Sequence, residues 1–436
     1  MKTEPLIMIC CCDFSGQVKG KAFPAADLAG HLERGIGWVP TNAQITTFNA
    51  IAETPFGALG DLMLVPDPGA ELRLDFGDDG PFEHWFLGDI LQMDATPWAC
   101  CPRAILRAAL DDLKAETGLQ VRAAFEMEMQ FVDDSETRFG SGYSLTGFRA
   151  RQAYGETLMA ALRGAGLEPE SFLREWGPGQ YEFTIRSQIG LQAADHAVMM
   201  REVARATAAR LGQRVTFTPV LDAGGVGNGM HLHMSLADAQ GRNVSHDPAG
   251  PGGLSDRAGA FVAGILHHLP SITAFTAPSV ISYARLIPNR WSAYYNNLGY
   301  RDREASVRIC PIADADDFAA KTNFEIRACD NSASPYLQMA ALVRAGLDGL
   351  RKGMATPEPT HENLSALDEA GAQARGLRRL PTSLEQALDH LDADAQVRSW
   401  FDAPFVDLYL LHKRGEIAHV ADMDEAALHA AYAQVY

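Results

Sequence analysis

Two glutamates alternate with methionines inside an apolar run, AAFEMEMQF, at Ala123–Phe131. Residues two apart on an extended strand share a face, so Glu126 and Glu128 lie side by side while Phe125, Met127 and Met129 pack the other side. Any fold for this chain must bury one face of that strand and find company for two neighbouring carboxylates on the other. A solvent-facing strand with two acids is the plain reading, since Glu is seldom buried without a partner. The sharper reading places something positive between them, most simply a metal ion.

Four further stretches repeat the pattern. REWGPGQYEF sets Glu175 and Glu182 around a GPGQ turn, and GMHLHMSL puts His231 and His233 on one strand face. FEIRACD spaces Glu325 and Arg327 two apart, and REASVRI supplies Arg303 and Arg308. If Glu126, Glu128, Glu175, Glu182 and Glu325 converge, each close pair repels by about 4 kcal/mol at 4 Å and an effective dielectric near 20. Either their pKa values rise steeply or divalent cations neutralise them. Carboxylates and an imidazole with no thiolate form a hard, oxygen-rich donor set, suited to Mg²⁺ or Mn²⁺ and not to structural zinc. Such ions keep waters and bridge phosphate oxygens, which points to nucleotide chemistry.

The rest of the chain is consistent with an enzyme of small molecules. Its 436 residues, 47% of them hydrophobic, can bury a large core and fill more than one domain. A formal charge of −18 argues against sequence-independent binding to nucleic acid or anionic membrane, both of which need a basic face. The seven cysteines form no disulfide framework and no CxxC site, and Cys310 and Cys329 read as inert buried thiols. LIMICCC, at Leu6–Cys12, is too short to span a bilayer and lacks a cleavage pattern, so it reads as a buried strand of a cytoplasmic protein.

Short strands dominate residues 1–98, with DFSG as a hairpin turn and a strand ending at Pro66. TPWACCPR marks a boundary, and a second domain follows over residues 102–436. It opens with a helix from Pro102 to about Thr117 and continues with AAFEMEMQF as a strand. Helices are expected over about 149–164, 191–211 and 256–268, with strands at QYEFTIR, VTFTPVL and GMHLHMSL. Ser334 and Pro335 start a helix through Leu350, and the chain after Pro359 is mainly helical.

Taken in order, ExE, E-x(6)-E around PGQ, GMHxHMSL, RLxP, RExxxRI and ExRxxDxSxxPYL resemble the glutamine synthetase family, from VKGKAFPA to about Leu350. The resemblance implies an α+β protein, with an N-terminal β-grasp domain and a catalytic domain whose curved antiparallel sheet, surrounded by helices, forms a funnel. ATP enters one end, glutamate the other, and two divalent metals sit at the waist. By position, Glu128, Glu175 and Glu182 would hold the metal near glutamate, and Glu126, His231 and Glu325 the one bridging the ATP phosphates. Arg285 would grip the glutamate α-carboxylate, with Gly227 and Arg327 completing that pocket. Arg303 and Arg308 would stabilise the transferring phosphoryl group, and His233 and Ser235 would lie toward the nucleotide. A ring-forming homo-oligomer is also implied, with a dodecamer one way of stacking two rings.

The departures bear on the amine. Where ammonia-using members carry a glutamate six residues after the RLxP arginine, this chain has Trp291, and ITTFNAI, at Ile45–Ile51, lacks their N-terminal aspartate. Asn323 and Val226 replace an arginine and an asparagine. With Phe48 and Tyr294 nearby, Trp291 would offer an apolar or cation–π wall. The expectation is therefore ATP-dependent ligation of glutamate to an organic primary amine through γ-glutamyl phosphate. Ammonia is the alternative acceptor. A non-catalytic regulator or scaffold would be expected to lose ligands, and none is missing, while a phosphagen-type kinase would not require E-x(6)-E and GMHxH together. Glu128→Ala and Glu325→Ala are each expected to abolish turnover and leave the fold intact.

Overall fold

The structure is a computed structural model and describes residues 2–132, 141–312 and 317–436. Strands β1 (Leu6–Cys12), β2 (Val18–Pro24), β3 (Ile36–Trp38), β4 (Leu62–Leu74) and β5 (Glu83–Leu91) form a sheet in the order β2-β1-β5-β4-β3. Only the β1–β5 pair is parallel. β4 runs eight residues past the expected stop at Pro66. The register against β5 shifts between Pro66 and Glu71, and such an irregularity absorbs Pro66 and Pro68, whose nitrogens cannot donate to a ladder.

The second sheet has nine strands: β6 (Gln120–Phe131), β7 (Pro169–Arg174), β8 (Gln180–Ile185), β9 (Gln188–Ile189), β10 (Val215–Thr216), β11 (Met230–Ala237), β12 (Tyr295–Tyr300), β13 (Ala305–Ile309) and β14 (Phe324–Ile326). Its main path is β12-β13-β14-β11-β6-β8-β7, antiparallel except at β12–β13. β6 is central, and its apolar residues Phe125, Met127 and Met129 are fully buried, as the alternation requires. VTFTPVL contributes only the two-residue strand β10 and an isolated bridge from Val220 to Gly227, and β7 has no counterpart in the sequence reading.

The first sheet is tied to the second half by Arg103, in the first turn of the helix Pro102–Thr117. Its buried guanidinium reaches Asp67 at 2.7 Å, Asp89 at 3.1 Å and Asp195 at 2.9 Å. The helix expected to stop near His268 continues to Thr276 through Pro270. A proline inside a helix orphans the carbonyl four residues back, and here that carbonyl, on Leu266, accepts from Asn296 Nδ2 at 3.2 Å. This helix is long and apolar enough to cross a membrane, yet it is almost wholly buried in the core. It crosses the helix Pro335–Lys352 closely, and a Cβ on Gly264 would lie 2.1 Å from Ala345 O. The helix expected over 149–164 is two, Leu145–Ala150 and Gln152–Gly164, broken at Arg151.

Candidate active site

Strand register draws the alternating polar residues into one row across the second sheet. Glu128 faces Glu182 on β8, Glu126 faces His231 on β11, His233 faces Glu325 on β14, and Glu325 faces Arg308 on β13. Glu175 joins from the turn between β7 and β8, where its Oε2 accepts from the Tyr143 hydroxyl at 2.8 Å and from Trp176 N at 3.0 Å. Two cavities open on this row, of about 490 Å³ and about 990 Å³. The smaller is lined by Glu128, Glu175, Glu182, His231, Arg285 and Trp291, the larger by His233, Ser235 and Asn323, and Glu126 lines both.

The carboxylates divide into two electrostatic groups. Burial first, then repulsion from Glu175, pushes Glu128 up to about 7. Burial and the neighbouring Glu126 and Glu128 push Glu182 up to about 11. Glu126 and Glu325 go the other way. Burial opposes their charge, but hydrogen bonds from His231 at 3.0 Å and His233 at 3.3 Å hold Glu126 well below the ordinary range. Glu325, wholly enclosed, is held at about 2 against burial by Arg327, His231, His233 and Arg308. Burial, then the charge of Arg327, brings His231 down to about 4.

Such a row fits divalent cations. Ligand atoms of Glu126, His233 and Glu325 lie within 4.8 Å of one another, so the clustered histidine is His233 and not the expected His231, whose Nδ1 lies 3.0 Å from Glu126 and 3.4 Å from Glu325. Glu128 and Glu182, directly opposed in register, are both pushed toward the neutral form, Glu128 by burial and Glu175, and Glu182 by burial, Glu126 and Glu128, a penalty that a bound cation relieves.

A pH dependence follows for the metal-free protein. Below its ordinary 4.5 the Glu128 carboxyl is protonated folded or unfolded; between 4.5 and about 7 only the folded chain keeps the proton, so stability falls as pH rises. Glu182 acts with the same sign across a wider window, while His231, depressed from 6.5 to about 4, offsets one of the two up to its ordinary value. Melting in chelator is expected at higher temperature near about pH 5 than near about pH 7.5, with saturating Mg²⁺ or Mn²⁺ narrowing the gap. An unchanged gap on adding either metal would argue that these carboxylates bind none.

Arginines gather opposite. Arg285, 3% exposed, donates to Ser292 Oγ at 3.0 Å, Arg327 O at 3.1 Å and Cys329 O at 2.6 Å. Gly227 is what lets the backbone lie against it, since a Cβ there would sit 2.5 Å from Arg285 Cδ. Arg327 donates to Trp291 O at 3.0 Å and to Glu325, and Arg303 is exposed in the cavity wall with its guanidinium 5.9 Å from the Trp291 ring centre. Arg308 lines neither cavity; its Nε donates to Glu325 Oε2 at 2.5 Å.

Some neighbours differ from expectation. Tyr294 is 2% exposed and packs against Tyr295, and Phe48 stacks on His419, so within the chain neither reaches Trp291. The residues that do share its cavity are Tyr143 and Trp176, far away in sequence. Gly229 was also unforeseen. Its N donates to Glu128 at 2.7 Å, and a Cβ would lie 2.7 Å from His231 Nε2. Cys310 is half-buried beside the cluster, its Sγ 3.6 Å from His233 Nδ1 and 3.9 Å from Glu325.

Comparison with known proteins accounts for the arrangement. Residues 1–98 match the family described as glutamine synthetase N-terminal domain, and residues 99–430 match glutamine synthetase, catalytic domain. The gamma-glutamylpolyamine synthetase GlnA3 of Streptomyces coelicolor is 34% identical over 97% of this chain and 92% of its own length. A glutamine synthetase of Thermococcus kodakarensis is 31% identical, over 88% of this chain and 83% of its own. The crystal structure of a novel glutamine synthase homolog, 38% identical, superposes with a TM-score of 0.92 over 100% of this chain and 99% of that one. Full-length matches in sequence and fold, on a chain carrying this row of carboxylates, make the protein a member of the glutamine synthetase family, the ATP-dependent glutamate–amine ligases.

Proposed function

We propose that this protein joins the γ-carboxyl of glutamate to an organic primary amine. A γ-carboxylate oxygen attacks the γ-phosphorus of ATP and ADP leaves. The amine nitrogen then attacks the acyl carbon, inorganic phosphate departs, and the nitrogen loses a proton.

Glu128, Glu175 and Glu182 would hold a divalent cation on the glutamate side, and Glu126, His231 and Glu325 one on the nucleotide side. Mg²⁺ and Mn²⁺ both suit these donors. When bound, such cations neutralise charge on phosphate and carboxylate oxygens. Arg285, against Gly227, receives the α-carboxylate. Arg303 and Arg327 stabilise the transferring phosphoryl group from the cavity wall, and Arg308 steadies Glu325 from behind. His233 and Ser235 face the nucleotide from the larger cavity.

One observation carries the choice of amine. A site for ammonia profits from a carboxylate that attracts ammonium and removes its proton, and the mouth of the smaller cavity presents Trp291, Trp176 and Tyr143 instead. The acids beside the rings are already engaged: Glu175 accepts from the Tyr143 hydroxyl and from Trp176 N and is assigned to the glutamate-side cation, and Glu304 accepts from the backbone N–H groups of Trp291 at 3.1 Å and Asn289 at 3.3 Å. The full-length relative named for polyamines supports the same reading.

The test is a panel of ammonium, alkyl, aryl and polyamine acceptors, read by ADP release and product mass. An organic amine is expected to give the highest kcat/KM. Ammonium in first place would overturn the choice of acceptor, and turnover with none would return the protein to a non-catalytic role. The same reading makes it a ring-forming homo-oligomer, supported by the exposed apolar Ile51 and Leu59. A fully active monomer in sedimentation would contradict that.

A further inference from the structure

Two cavities lie apart from the carboxylate row and share no lining residue with the two that open on it. The larger, about 800 Å³, opens between the helix Asp256–Thr276, β12 and the chain at 354–378, with Leu266, Leu298, Met354 and Leu377 in its wall. The smaller, about 370 Å³, is lined by His267, His268, Lys352, Arg378, Arg379 and His390. His267 and Arg378 belong to both, so the chambers adjoin.

The smaller chamber is basic in a chain whose formal charge is −18. Lys352 is matched by Asp348 at 2.7 Å, but the Arg378 guanidinium donates to His267 O, and that of Arg379 to Tyr294 O at 2.6 Å and Leu286 O at 3.0 Å. Among the described residues neither meets a carboxylate. Asp394, in the same wall, is taken by Ser271 Oγ at 2.8 Å and Val397 N at 3.0 Å. Adjacent guanidinium groups repel, and an anion between them turns that cost into attraction.

The larger chamber has its own unmet group. Asn297, on β12 and 3% exposed, is part of its wall. Its Nδ2 donates to Thr360 Oγ1 at 2.9 Å, and the Thr360 hydroxyl donates onward to Leu298 O at 3.1 Å, which fixes how the amide is turned. Asn297 Oδ1 is left buried without a donor. Such an acceptor is costly until an N–H or O–H reaches it. The charges here are otherwise met, with Arg375 on Glu362 and Glu358 exposed.

We propose that the joined chambers bind a phosphate monoester, its phosphate against Arg378, Arg379 and Lys352 and its organic part in the larger chamber, where it donates to Asn297. Arginine forks suit phosphate oxygens, and the space is of the size that small ligands occupy. A nucleoside monophosphate and a sugar phosphate share this chemistry.

Isothermal titration of the protein with AMP, ribose 5-phosphate and inorganic phosphate is the test. One of the esters is expected to bind once per chain, about tenfold or more tighter than inorganic phosphate, which leaves the larger chamber empty. Arg378→Gln should weaken the ester by about tenfold or more, the scale of one charge-assisted contact. Ala355→Trp, which narrows the larger chamber, should weaken the ester and spare inorganic phosphate. Both positions are exposed, so the fold should tolerate either change. Preference for AMP identifies a nucleotide, and preference for ribose 5-phosphate a sugar phosphate. No saturable ester binding, or binding that both variants leave unchanged, overturns the proposal, as does inorganic phosphate binding as tightly as either ester. A change in sedimentation of Arg378→Gln, with no ester bound by the wild type, would assign the arginines to an interface between copies instead.

Discussion

Glu128→Gln is expected to lower glutamate-dependent ADP release by about a thousandfold, the scale of several kcal/mol of charge neutralisation lost at the reacting phosphate. The same variant should leave the metal-free protein at least as stable as the wild type at neutral pH. Burial and Glu175 hold the Glu128 carboxyl up at about 7, so a neutral amide resembles the state the metal-free fold prefers. Its carbonyl oxygen can still accept from Gly229 N and Gln180 Nε2. Glu325→Gln should lose turnover on a similar scale for a different mixture of reasons. Glu325 is fully buried and paired with both Arg308 and Arg327, so neutralising it strands two guanidinium groups and costs roughly 3–5 kcal/mol of stability. The expectation from sequence that Glu325→Ala spares the fold is therefore revised. ADP release and thermal melts in chelator, run side by side, separate the two variants. Near-wild-type turnover of Glu128→Gln would remove that residue from the site.

The strands that build the row were legible because their period is unambiguous. In β6, β11 and β14 every second residue is apolar and buried, leaving Glu126, Glu128, His231, His233 and Glu325 no other face to occupy. Pairing register, which sets Glu128 against Glu182 and His233 against Glu325, depends on contacts between strands far apart in sequence, so only the ordered motifs hinted at it. Two elements run on past a proline. Pro66 reads as a strand end, yet a register shift absorbs it, and the helix expected to stop near His268 runs on through Pro270, where the Asn296 side chain satisfies the freed carbonyl. Tyr143 and Trp176 could not be foreseen beside Trp291. They lie on loops with no periodicity, and the contacts that place these loops, Tyr143 to Glu175 and Trp291 to Glu304, join residues well apart in sequence.

Glu416→Ala is expected to destabilise the protein by roughly 3–5 kcal/mol, because it breaks a buried ion pair on one side only. His412, Lys413 and Glu416 lie on the helix Phe405–Val420, in HKRGE, spacing that reads as a solvated helix face, yet all three are 0% exposed. They meet Ser15, in the turn after β1. Its hydroxyl donates to Glu416, lies 2.8 Å from His412 Nε2 and accepts from Lys413 Nζ at 3.1 Å. Lys413 reaches Glu416 Oε2 at 3.0 Å, and His412 Nδ1 donates to Ala43 O at 2.9 Å. The helix comes close enough for this because position 415 is glycine; a Cβ there would lie 2.6 Å from that of Ala52. Burial opposes the Glu416 charge, but Lys413, His412 and Ser15 hold the carboxyl at about 2. Its folded value is thus depressed below the ordinary 4.5, and the stability it contributes is complete above that value and lost as pH falls toward about 2. Replacing both partners, as in Lys413→Met with Glu416→Leu, leaves no stranded charge and should recover much of the loss. Urea unfolding of the single and double variants at fixed protein concentration reads the difference. A Glu416→Ala protein as stable as the wild type, or a double variant weaker than the single, would show that this network does not hold the Ser15 turn onto the helix.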